Sequence, residues 1–159
     1  MKEILDAQDR KLVSILAEDG QLPVGQVAER MGVTAPTVRS RLKNLVQAGV
    51  MRVAGLIDPF RTEGVTVAMV AITLQSHEQL DSKLDEIAQL DKVHWAAVVT
   101  GRYDIMVEIV LPDSIADLYR FINEDLSRVG GISTSESFVV MKGKRKWVLL
   151  PDSAREWFK

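Results

Sequence analysis

The chain has 159 residues, enough for one ordinary domain or two small ones. Hydrophobic residues make up 47% and charged residues 26%, which excludes a disordered chain and points to a soluble globular one. A net charge of −2 excludes a uniformly basic nucleic-acid coat, and the lack of cysteine excludes disulfides, thiolate metal sites and thiol nucleophiles.

The opening stretch MKEILDAQDRKLV scatters charge along its length and has no apolar core, so no signal peptide is expected. The longest apolar run, VTVAMVAITL, is too short to span a bilayer. A cytoplasmic protein without a membrane partner is therefore the expectation.

Residues 1–52 read as short helices. Leu5, Leu12, Val13 and Leu16 fall on one side of a helix from about Asp6 to Asp19, with Asp6 as its cap and Gly20 as its stop. A second helix follows Pro23, with Val24, Val27, Ala28 and Met31 facing inward. Gly32 supplies the positive φ that a tight turn between packed helices requires. Thr34 can cap the next helix, Pro36 fits its first turn, and Gly49 ends it beyond Ala48. Helix, glycine turn, helix, with a supporting helix in front, is the outline of a helix-turn-helix unit.

The third helix has two unlike faces. At about 100° per residue, Val38, Leu42 and Leu45 form a buried stripe. Pro36, Ser40, Lys43 and Gln47 lie opposite it, with Thr37, Arg39 and Asn44 on the shoulders. From Val33 to Arg52 there are four basic residues, Arg39, Arg41, Lys43 and Arg52, and no acidic one. Cations, hydroxyls and an amide are the groups that hold phosphates and read base edges. The candidate DNA-binding residues are thus Thr34, Pro36, Thr37, Arg39, Ser40, Arg41, Lys43, Asn44 and Arg52. Arg41 lies beside the core stripe, so its stem should pack while its head pairs locally or touches phosphate.

Val50–Asp58 is apolar enough for a strand or short wing, and PFRTEG follows as a turn, giving a linker over 53–64. Residues 65–150 then change period. A β-rich run at Val65–Gln75 precedes a helix with Leu80, Leu84, Ile87 and Ala88 at helical spacing and a Ser76/Gln79 capping box. KVHWAAVVTG and YDIMVEIVL are strands joined tightly at Gly101-Arg102. A helix then aligns Ile115, Leu118, Tyr119, Ile122 and Leu126, capped from Asp113 or Ser114. After Gly130-Gly131, ISTSESFVVM returns as a strand. The order predicts an α+β chain: a winged-type helix-turn-helix domain, then a ferredoxin-like βαββαβ sandwich. Helices cover one sheet face in that fold. Apolar residues on both faces of Val65–Leu74 predict that a second copy covers the other.

LDAQDRKLVSILAEDG, VTAPTVRSRLKNLVQAGVM and TGRYDIMVEI, in that order and spacing, resemble the Lrp/AsnC (feast/famine) family of transcription regulators. The resemblance covers nearly the whole chain. The linker IDPFRTEG departs from the family with Glu63 at a commonly apolar place, and the tail 151–159 runs past the usual end. The resemblance implies a sensor domain for an amino acid or related small molecule, double-stranded DNA as partner, and dimers that build tetramers or octamers. It places the effector at Gly101, Tyr103 and Asp104, with Thr134 and Glu136 on the last strand. Asp104 could face an ammonium, backbone N–H groups beside Gly101 could receive a carboxylate, and Arg102 could add a charged fork.

No cofactor, metal or catalytic group is expected beyond that effector. The two histidines, His77 and His94, read first as ordinary residues rather than ligands or bases. KGKRK, Lys142–Lys146, reads first as a solvated loop and second as another DNA contact. Two other functions fit the resemblance: a tetrapyrrole decarboxylase of the haem-biosynthesis kind on the same scaffold, and an architectural DNA-binding protein without effector. The acid-free outer face of the third helix favours the regulator.

Overall fold

In the computed structural model, residues 5–112 and 115–157 are described, and the chain divides into a unit ending at Ala54 and one starting at Gly55. The helix caps expected at Asp113 or Ser114 lie outside the described residues.

The first unit is three helices: α1 (Ala7–Glu18), α2 (Val24–Met31) and α3 (Ala35–Gln47). Asp6 caps α1 by accepting from the Asp9 amide at 2.7 Å. The helix stops at Asp19, one residue before Gly20, with the Asp19 N–H on the Ile15 carbonyl. Gly32 ends α2 at φ 71°, and its N–H and that of Val33 close the turn onto Glu29 and Ala28. A Cβ there would meet nothing within 4 Å, so φ alone makes the demand for glycine. Thr34 caps α3, Pro36 sits in its first turn, and Gly49 follows it at φ 69°. Leu12, Leu16, Val27, Ala28, Met31, Val38 and Leu45 are the buried core, with Leu42 and Leu5 half-buried against it. Residues 51–56 form no strand, which corrects the expected wing. The one pairing nearby is the antiparallel bridge of Ile57 with Val148.

The second unit has β1 (Thr66–Leu74), α4 (Leu80–Ala88), β2 (Val93–Val98), β3 (Ile105–Leu111), a long helix and β4 (Ile132–Val139). All neighbours are antiparallel, in the order β2-β3-β1-β4. That is the ferredoxin-like arrangement, with β1 and β3 central. Even-numbered residues of β1 and odd-numbered residues of β3 pack under the helices, against Ile87, Leu118, Phe121 and Leu126. Fully burying each Val, Leu, Ile or Phe among them stabilises by about 1.5–3 kcal/mol relative to leaving it exposed.

The capping box before α4 does not form. A 3₁₀ turn at His77–Gln79 precedes the helix, and Ser76 accepts only from the Glu78 amide. Ala88 is exposed, leaving Ile87 as the buried residue. The long helix also departs from expectation. It begins as α5 (Ile115–Arg120), widens to a π-helix over Phe121–Leu126, and ends as α6 (Ser127–Val129). Ile115 and Tyr119 are 83% and 66% exposed, while Phe121 is fully buried. The wider π turn matches the five-residue step from Phe121 to Leu126, and a 3.6-residue wheel cannot see it.

The sheet's second face has rows that the strand registers fix. Phe138, Met69, Glu108 and Trp95 lie side by side across β4, β1, β3 and β2, and the next row is Glu136, Ala71, Met106 and Ala97. One end of this face is covered by the chain's own C-terminal segment. Val148, Leu150 and Trp157 pack with Val65, Val67 and Val110, and Ala154 in the 3₁₀ turn Asp152–Glu156 is buried. Val65–Leu74 is therefore covered in part by its own chain, where a second copy was the expected cover. Among the described residues, no helix is long and apolar enough to cross a membrane.

Candidate nucleic-acid interface and effector site

Helix α3 presents its cations as its sequence periodicity requires. Val38 and Leu45 are buried, so Pro36, Thr37, Arg39, Ser40 and Lys43 are left exposed. Among the described residues, neither Arg39 nor Lys43 has a carboxylate partner, which leaves both free for an anion. The Thr34 and Thr37 hydroxyls are 2.8 Å apart and share a hydrogen bond at the helix start. Arg52 is exposed beyond the helix.

Two candidates face elsewhere. Arg41 pairs with Asp6 at 2.8 Å and Asp9 at 2.7 Å, so its head bonds within the unit and is not free for phosphate. Its guanidinium is held more basic than usual, first by Asp6 and then by Asp9. The Asp6 carboxyl is held below its ordinary range, first by the Asp9 amide and then by Arg41. Asn44 lines, with Arg41, Asp9 and Leu5, a hollow of about 180 Å³ toward α1 rather than the outer face.

In the second unit, the β2–β3 turn holds Gly101 at φ 117°, and Val99 N–H closes the loop on the Asp104 carbonyl at 3.0 Å. The Arg102 guanidinium carbon sits 5.3 Å from the centroid of the Tyr103 ring, a cation–π contact. The Tyr103 hydroxyl donates a short hydrogen bond to the Glu136 carboxylate. By accepting that hydrogen bond, Glu136 holds the phenol pKa above its ordinary value. Thr134 lies on the same strand face, opposite Thr73, as Glu136 lies opposite Ala71. The turn and β4 thus bring Gly101, Arg102, Tyr103, Thr134 and Glu136 to one side of the sheet.

Asp104 points another way. Its Oδ2 accepts from the Leu74 amide at 2.8 Å, and Oδ1 lies 2.9 Å from His77 Nε2. This carboxylate joins the end of β1 to the start of β3.

Two regions of the chain match family models: residues 5–46 an AsnC-type helix-turn-helix domain, and residues 67–146 an Lrp/AsnC ligand binding domain. The chain belongs to the Lrp/AsnC family of transcriptional regulators. A Pyrococcus abyssi HTH-type transcriptional regulator is 33% identical over 144 residues, spanning 90% of this chain and 89% of its own. The solved structure of a Pyrococcus horikoshii HTH-type regulator superposes with a TM-score of 0.75 at 26% identity, covering 93% of this chain and all of that one. A Neisseria meningitidis regulator solved with L-Met shares the fold at TM-score 0.67 and 21% identity, covering 90% and 94% of the two chains. This Lrp/AsnC chain is thus a transcriptional regulator with a helix-turn-helix DNA-binding unit and a ligand-binding unit.

One cluster in the family's ligand-binding unit was not foreseen. Glu108 is 4% exposed on the sheet's second face. His94 Nδ1 lies 2.7 Å from its Oε1, Lys146 Nζ lies 2.5 Å from its Oε2, and the Leu149 amide donates to His94 Nε2 at 3.3 Å. A bulge between Val93 and Trp95 sets His94 beside Trp95 opposite Glu108. The cluster neutralises a buried charge and fastens the C-terminal segment to the sheet. The sequence signal was a single acid inside the apolar run IMVEIVL. Among the described residues, no group of three or more His, Asp or Glu is placed to hold a metal.

Proposed function

We propose that this regulator binds double-stranded DNA sequence-specifically through α3, and that an amino acid bound at the Gly101–Tyr103 turn and β4 modulates that binding. The observation that carries the reading is the pairing of two features in one chain. Arg39 and Lys43 are unopposed on a helix-turn-helix, and Arg102 and Glu136 stand as opposite charges bridged by Tyr103. A zwitterion needs a carboxylate for its ammonium and a cation or amides for its carboxylate. Glu136 is the better ammonium partner, because both oxygens of Asp104 are already engaged. No cofactor or catalytic group enters this reading, and nothing at the turn favours the decarboxylase.

Self-association belongs to the same reading. Trp95 and Phe138 are 38% and 46% exposed on the sheet face that the C-terminal segment leaves open, and a second copy would bury them. Two α3 helices in a dimer would address half-sites about one helical turn apart or a multiple of that.

A thermal-shift screen of the full chain against the common amino acids tests the sensor half. A ligand that binds only the native state raises its melting temperature by mass action. That rise should disappear in Glu136→Gln. A screen in which no amino acid shifts the melt contradicts the sensor half.

A further inference from the structure

We infer that the loop Lys142–Arg145 is a second anion-binding site, which takes the phosphodiester backbone of double-stranded DNA independently of its sequence. The inference rests on the DNA-binding reading of α3 but uses no residue of it.

The loop is basic in a chain that is acidic overall: KGKRK holds four cations in five residues, against a net charge of −2. The fold uses only one of them. Lys146 turns inward to Glu108, at 2.7 Å and 2.5 Å from the two carboxylate oxygens. Lys142, Lys144 and Arg145 stay exposed, and among the described residues none has a carboxylate partner. A structural role therefore accounts for Lys146 and leaves three positive charges unmatched.

The loop is also held in place. Gly143 lies so close to the Phe60 ring that a Cβ there would collide with it, which fixes one end against the Asp58–Arg61 turn. Lys146 pins the other end to the buried carboxylate. Between these anchors Arg145 adopts φ 57°, the one left-handed non-glycine among the described residues. An arginine held there costs free energy that a freely solvated loop would relax away. Adjacent cations on a fixed backbone fit a ligand with regularly spaced negative charges. Duplex DNA, with one charge per about 1.7 Å of axis, is that ligand, and each phosphate contact contributes about 0.9 to the salt slope of binding. The opposing charge nearby is small: Asp58 is already paired with Arg61 at 3.6 Å, and Glu63 is a single exposed acid in that turn.

The test is DNA binding by the full chain across a salt series, on a long duplex of mixed sequence. Lys142→Ala/Lys144→Ala/Arg145→Ala should lower the slope of log affinity against log salt by about two to three units. The charge-conserving Lys142→Arg/Lys144→Arg should keep it, and thermal melting should show the loop variants folded. Arg120→Ala/Arg128→Ala, which removes two cations of the same unit, should leave the slope unchanged. An equal fall per charge in that control would reveal a net-charge effect and overturn the site. An unchanged slope in the loop variant, while Arg39→Ala/Lys43→Ala weakens binding, sinks this inference and leaves the role of α3 standing. If neither set alters binding, the DNA-binding reading fails and takes this one with it. Loss of binding to anionic phospholipid vesicles, with DNA binding intact, would reassign the loop and overturn the proposal as stated.

Discussion

Arg41 of α3 lies 2.7 Å from Asp9 of α1, and this ion pair holds the recognition helix against the helix that supports it. The same guanidinium reaches Asp6 at 2.8 Å, so one side chain ties α3 to both the cap and the first turn of α1. Arg41→Ala should therefore lower the melting temperature while leaving the salt slope of DNA binding as it was. Arg39→Ala, two residues earlier on the exposed face, should do the reverse and lower the slope by about one unit. A fall in slope for Arg41→Ala equal to that for Arg39→Ala would mean its head leaves Asp9 for phosphate.

This staple has an acid limit. The Asp6 carboxyl is held below its ordinary value of 3.8, so its contribution is complete above that value. It is lost as pH falls through the lowered pKa. Acid melting curves of wild type and Asp6→Asn should converge below that window and separate above it. Parallel curves across the whole range would show that Asp6 contributes nothing through its charge.

The Tyr103–Glu136 bond has the opposite sign. The phenol pKa is raised above its ordinary 10.0, first by the Glu136 hydrogen bond, so the bond's stabilisation is present below that value and lost as pH rises through the raised one. The chain has two tyrosines, Tyr103 and Tyr119, which makes the measurement simple. In a Tyr119→Phe background, the tyrosinate absorbance step of Tyr103 should come above that ordinary value. Glu136→Gln should bring that step down. A step unchanged by Glu136→Gln would remove the contact from the account.

Asp104 should behave first as a structural residue. Asp104→Ala leaves the Leu74 amide without its acceptor and should cost about 1.5–3 kcal/mol of stability, as hydrogen bonds to charged groups do. Gly101→Val should abolish the effector response, because φ 117° suits glycine and a β-branched residue there is strained. Chemical denaturation and amino-acid titration of both variants separate the two roles. A fully stable Asp104→Ala that has lost its ligand would return this carboxylate to the effector site.

Asp6, Gly32, Thr34 and Gly49 were legible because each acts on backbone within four residues of itself. The Val38/Leu42/Leu45 stripe and the strand order followed from periodicity. Phe121 was missed because a π turn breaks the period that would reveal it. The partner of Arg41 lies 32 residues away, and that of Glu108 38 residues away, where no local pattern reaches. At the candidate effector site the turn itself could be read from Gly101, but the engagement of both Asp104 oxygens by Leu74 and His77, 27 to 30 residues away in sequence, lies beyond any local pattern. The tail 151–159 reads in sequence only as running past the usual end, yet its Trp157 packs with Val148, Val65, Val67 and Val110 at one end of the sheet's second face.

In the proposed function, α3 engages DNA through its unopposed cations and the effector site tunes this engagement. The most direct measurement is DNA affinity of wild type and Arg39→Ala/Lys43→Ala, each with and without an amino acid that raises the melting temperature. The amino acid should shift wild-type affinity by a coupling of about 1–3 kcal/mol. The double variant should bind DNA weakly under both conditions while its melting temperature still rises with the ligand. A double variant that binds DNA as wild type does, or a ligand that raises stability without moving DNA affinity, would contradict the proposed function.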